Sequence, residues 1–198
     1  MKKLYVLLLL ALSNILASNV YAADLAVMLY TTEQEGNDLF DKYLKDMGFK
    51  RKLKLDAKKN FEYHVTLGYI KYVNKNDVEA LKKQISSAMV EKIKASPPVF
   101  EYGASALLGK GRPFIVAIPK NSEPFTTLNR SLSDILEKYK DGEYRLSSIT
   151  TPENYIPHLS LNAKVHQNIK LIELPDILQK LNKKMAGAKI NVVDLVIN

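Results

Sequence analysis

One pattern occurs twice in this chain, and it restricts the fold more than any other feature. Tyr63-His64-Val65-Thr66-Leu67 and Pro157-His158-Leu159-Ser160-Leu161 both read His, apolar, hydroxyl, Leu, and each falls within an apolar run of strand character. Side chains alternate faces along a strand, so His64 and Thr66 share one face while Val65 and Leu67 take the other. His158 and Ser160 pair in the same way. One such His-x-hydroxyl carries little weight, because Ser and Thr are common. Two copies account for two of the three histidines in the chain, which makes chance a poor explanation. The third, His166, lies in a polar stretch after Lys164-Val165 and reads as a solvated loop residue.

The surroundings of the two motifs also repeat. Asp24 to Tyr30 is a short apolar strand. Leu39, Phe40, Tyr43, Leu44 and Met47 follow at helical spacing, and Gly48 closes that helix. Glu62 to Lys71 is a second strand. Asn76-Asp77 is placed to cap a helix bearing Val78, Leu81, Ile85, Ala88 and Met89, which Ser96-Pro97-Pro98 stops. Val99 to Leu108 is a third strand. The order then starts again: a strand over Arg112 to Pro119, a helix opened by Ser122 and Pro124, and a strand over Ile156 to Ala163. A helix bearing Leu174, Ile177, Leu178, Leu181 and Met185 comes next, with Gly187 at its end and a last strand over Lys189 to Ile197. His64 lies 40 residues past Asp24, and His158 lies 46 past Arg112. The expectation is two related halves, 24–108 and 112–198, within one domain over 23–198.

Residues 1–22 read as a secretory signal. Met1-Lys2-Lys3 is a positive start, Leu4 to Leu16 an apolar run broken by Ser13 and Asn14, and Val20-Tyr21-Ala22 a cleavage site before Ala23. The run is shorter than the roughly 20 apolar residues of a membrane span. The expectation is therefore a periplasmic or secreted protein with no stable membrane anchoring after cleavage. With no cysteine, neither a lipid-modified amino-terminal Cys nor a disulfide is available. Cleavage removes the charges of Lys2 and Lys3 from the formal +8 and leaves +6. That balance suits an anionic partner, although the lysines are scattered and arginine stands only at 51, 112, 130 and 145. Hydrophobic residues at 46% and charged residues at 25% exclude disordered and fibrous classes.

The paired motifs resemble those of the two-histidine (2H) phosphoesterase superfamily, which includes bacterial RNA 2′,3′-cyclic phosphodiesterases, also called 2′-5′ RNA ligase-like proteins. Gly111-Arg112-Pro113-Phe114 through Tyr155-Ile156-Pro157-His158-Leu159-Ser160-Leu161 is similar to the second half of that family, and the resemblance spans residues 24 to 198. It implies an α+β fold that is duplicated and pseudo-twofold, with two lobes of antiparallel sheet lining a central cleft and helices outside. It also implies catalytic His64 and His158, with Thr66 and Ser160 binding the substrate phosphate, and no metal or other cofactor. A neutral imidazole would take the proton of the attacking water, and a protonated one would donate to the leaving ribose oxygen. The hydroxyls would serve the non-bridging oxygens.

Two histidines can also hold a metal, but the companions here are hydroxyls rather than cysteines or carboxylates. RNA ends or small nucleotides are the expected substrates, acted on by a monomer. Cleavage of 2′-5′ linkages or of another small cyclic nucleotide is an alternative of the same chemistry. A non-catalytic RNA or nucleotide binder is an alternative of another class. Tyr30 and Tyr155 could stack on a base, although such tyrosines are more often plain core or rim residues, and Lys110 and Arg112 could meet phosphate, although a solvated turn is the commoner use.

Overall fold

The computed structural model describes residues 22–49, 63–109, 114–162 and 173–198. The export-signal expectation lies outside them except for Ala22, and so do Lys110, Arg112 and His166. Six strands form the sheet: β1 (Ala22–Thr31), β2 (His64–Asn74), β3 (Val99–Leu108), β4 (Phe114–Pro119), β5 (Leu159–Asn162) and β6 (Lys189–Ile197). Four α-helices accompany them among the described residues: α1 (Glu33–Leu39), α2 (Val78–Ala95), α3 (Glu123–Lys138) and α4 (Leu174–Met185). After α1 the chain continues through a π turn (Phe40–Leu44) and a 3-10 turn (Lys45–Met47) to Gly48, so the predicted first helix is present but irregular.

Every strand pairing is antiparallel, and the sheet closes on itself in the order β1-β2-β5-β4-β3-β6. The six strands thus share one continuous sheet. The order is unchanged when β1, β2 and β3 are exchanged for β4, β5 and β6. The α+β class and the antiparallel pairing are as the family resemblance implies, but the strands close into one barrel-like sheet rather than forming two separate sheets.

The core lies between the sheet and the helices. Leu25, Val27 and Leu29 of β1, Val65 and Leu67 of β2, and Ile115 and Ala117 of β4 meet Leu81, Ile85 and Met89 of α2 and Phe125 and Leu132 of α3. The alternation is the physical cause: β1, β4 and β5 give odd-numbered apolar residues to the core, and β3 and β6 give the even-numbered Phe100, Tyr102, Ile190 and Val192. Each helix returns an apolar stripe at a spacing of three and four. Gly187 ends α4 with φ at 77°, a left-handed conformation that a side chain would disfavour.

Two local expectations need correction. The strand predicted over 156–163 is shorter, beginning at Leu159. Pro157 has no N–H for a ladder, and the Ile156 carbonyl accepts from His158 instead. Asp77 does occupy the N-cap position of α2, but its carboxylate makes no cap bond. Its oxygens accept from Lys140 Nζ at 2.6 Å and from Tyr144 Oη at 2.6 Å, joining the start of α2 to the turn after α3. In that turn Lys140 and Asp141 hold left-handed φ values of 45° and 54°.

The Lys140 ammonium first, and the Tyr144 hydroxyl second, hold the Asp77 carboxyl below its ordinary range. The folded state therefore favours the ionised form. That contribution is fully present above the unfolded value of roughly 3.9 and is lost as pH falls through the lower folded value. Melting temperatures of wild type and Asp77→Asn are expected to differ at neutral pH and to converge in acid. A gap that stays constant down to the acid limit would contradict this linkage.

Candidate functional site

The register between β2 and β5 builds the site. Val65 pairs with Leu159 in an antiparallel ladder. One step along β2 is therefore one step back along β5, so His64 stands opposite Ser160, and Thr66 stands opposite His158. All four side chains share the face turned away from the helices, because Val65, Leu67, Leu159 and Leu161 are fully buried on the other. Directly opposed residues have Cβ atoms about 4.5–5.5 Å apart, and diagonal neighbours such as His64 and His158 are separated by about 7–8 Å.

The flanks of this square are apolar. Tyr30 and Met28 of β1 pair with His64 and Thr66, and Val116 of β4 pairs with Ser160. Met28 and Val116 are buried yet stand outside the main core cluster. They line a second, smaller apolar surface on the histidine side of the sheet. His64, His158 and Ser160 are half-buried, and Thr66 is 9% exposed. Hydrogen bonds and charges on such a face act in a medium of lower dielectric than water, which strengthens them.

The two histidines are held by different means. His158 Nδ1 lies 2.8 Å from the Ile156 carbonyl oxygen, which can only accept, so Nδ1 carries a proton. Nε2 is then the nitrogen left to accept a proton when the ring is neutral. His64 has its Nδ1 buried and its ring against that of Tyr30, with centroids 4.8 Å apart and planes inclined by 36°.

Behind the motif, the segment 146–157 takes over where β5 ends, and it bonds to β2 through side chains as much as through backbone. Tyr155 Oη donates to the Thr66 carbonyl at 3.0 Å. Asn129 Nδ2, from α3, donates to the Leu67 carbonyl at 2.7 Å and to the Thr150 carbonyl at 2.9 Å. The Tyr69 amide donates to Thr150 Oγ1 at 3.1 Å, and the Ser147 amide to the Tyr69 carbonyl at 2.7 Å. Gly68 permits the close approach: a Cβ there would lie 2.5 Å from Leu146 Cδ2 and 2.9 Å from Leu132 Cδ2. The motif strand is thereby tied to α3 and to the segment that leads into His158.

Sequence reasoning identified the four motif residues but missed Asn129 as a tie. A polar residue among the apolar positions Phe125, Leu128 and Leu132 of α3 was the available signal. Tyr155 is by its sequence more often a core or rim residue than a platform for a base. The structure gives that phenol to the Thr66 carbonyl, and burial raises its pKa well above the ordinary value. Among the described residues no three His, Asp or Glu side chains converge in a way that could hold a metal ion. Three surface concavities elsewhere, between α1 and β6, beside α3 and along α2, are lined by none of the four motif residues.

No family model matches the chain, and no curated protein matches it. Among solved structures the chain is similar to the structure of Kluyveromyces marxianus Usb1, at 16% identity over 88% of this chain and 96% of that one, with a TM-score of 0.45. A likeness of that degree carries no argument about chemistry.

Proposed function

We propose that this protein is a phosphodiesterase of the paired-histidine kind, working without a metal. Its particular reaction, on this reading, is hydrolysis of 2′,3′-cyclic phosphate termini of RNA or nucleotides. The observation that carries the reading is the β2–β5 register, which sets His64 opposite Ser160 and Thr66 opposite His158. One imidazole accepts the proton of the attacking water while the other donates to the departing ribose oxygen. Thr66 and Ser160 donate to the non-bridging oxygens as charge grows there. The strand order that survives exchange of the halves supports reading the chain as two related halves sharing this one site.

A non-catalytic nucleotide binder has no need of two opposed titrating groups each beside a hydroxyl, so the catalytic reading is preferred. The test is turnover of a panel of 2′,3′-cyclic nucleotides, 2′-5′ dinucleotides and RNA with cyclic phosphate ends. Cleavage of the cyclic phosphates ahead of the 2′-5′ linkages is the expected result. Binding without turnover across the whole panel would sink the proposal.

A further inference from the structure

We propose that Tyr30 is the positioning residue of His64, acting through its ring rather than through its hydroxyl. The inference rests on the paired-histidine reading above and adds a residue which that reading does not use. An imidazole on a strand can turn about two side-chain bonds, and proton transfer requires Nε2 to be aimed at one atom. His158 is fixed by the hydrogen bond from its Nδ1 to the Ile156 carbonyl. At His64 Tyr30 lies directly across the β1–β2 pair, and the two rings pack with centroids 4.8 Å apart. Cross-strand aromatic pairs of this kind hold each other's rotamers.

The phenol itself is occupied elsewhere. Tyr30 Oη points to Met28 Sδ at 3.8 Å. Burial first, and the neighbouring Tyr69 second, push its pKa above the ordinary value against a hydrogen bond with the Asn198 side chain that lowers it. A phenol kept neutral in that way contributes a fixed, flat surface at working pH and no proton. One further neighbour completes the arrangement. On its other side Tyr30 pairs with Asp194 of β6, so the ring is held between two strands.

The test compares Tyr30→Phe with Tyr30→Leu and Tyr30→Val, the last suiting a strand should the leucine variant fold poorly. Two readouts are taken on the purified protein. One is the NMR spectrum of the His64 ring, assigned by its disappearance in His64→Ala. The other is kcat and KM on a 2′,3′-cyclic nucleotide. Tyr30→Phe should leave both unchanged within about twofold. The leucine and valine variants should move the His64 ring signals and lower kcat by up to about 10²-fold, the scale of a 1 Å misplacement, with KM nearly constant. Ring signals unmoved in both aliphatic variants would overturn the proposal. So would a phenylalanine variant as impaired as they are, since that assigns the role to the hydroxyl. Ring signals that move while kcat stays at the wild-type value would contradict the catalytic reading of His64 itself, which separates that failure from the failure of Tyr30 to position it.

Discussion

Alanine at His64 or at His158 is expected to lower turnover of a cyclic phosphodiester by about 10²–10⁴-fold, the range that general acid or base groups typically contribute. Both substitutions fall on the face of the sheet opposite the main core, where His64 and His158 are only half-buried. Neither removes a core contact of Val65, Leu67, Leu159 or Leu161, so the fold should survive with a change of no more than about 1 kcal/mol, the span of strand propensities. On the proposed mechanism the two histidines work as a unit, and the double variant should lose little more than either single one. Steady-state rates beside circular dichroism spectra check this. A folded single variant retaining near-normal rates on every phosphodiester tested would contradict a shared site.

The second large effect is on stability and comes from a residue with no chemical role. Asn129→Leu is expected to cost about 2–5 kcal/mol, because it leaves two buried carbonyls, those of Leu67 and Thr150, without a donor at roughly 1–3 kcal/mol each. Part of the loss is recovered, since Asn129 Oδ1 is itself buried with no hydrogen-bond partner among the described residues and the substitution removes it. Against a total stability of about 5–15 kcal/mol, the remainder is still a large fraction. Tyr155→Phe orphans one carbonyl, that of Thr66, and should cost about 1 kcal/mol. Denaturant unfolding of the two variants gives the comparison. Equal losses, or an Asn129→Leu protein as stable as wild type, would show that these ties do not brace β2.

The parts of the fold that depend on neighbouring residues were legible in the sequence. Val99–Leu108 and Lys189–Ile197 form strands over the predicted residues because Ser96-Pro97-Pro98 and Gly187 punctuate them. The alternation of His64-Val65-Thr66-Leu67 was enough to assign each side chain to a face, and burial follows that assignment. What periodicity does not encode is which strand lies beside which. The pairing of β2 with β5, one strand from each half, decides that the two motifs meet. It is a contact across 94 residues (65 to 159), set by closure of the whole sheet.

The misses have the same origin. Asp77 looked like a helix cap by local rule, and a lysine 63 residues away claims its carboxylate. The ring of Tyr30 meets His64 only through the β1–β2 register. The strand around His158 looked continuous, but Pro157 and the turned Ile156 carbonyl shorten it and in doing so fix the imidazole.

The central claim is that His64 and His158 act as one acid–base pair, and the rate as a function of pH tests it most directly. One imidazole must be neutral and the other protonated in the same cycle, so the rate on a 2′,3′-cyclic nucleotide should be bell-shaped. The rising limb belongs to the base losing its proton and the falling limb to the acid losing its own. Both limbs describe the coupled pair rather than either residue alone. The profile should be the same with a strong chelator present. A rate abolished by the chelator and restored by one added metal would contradict the account.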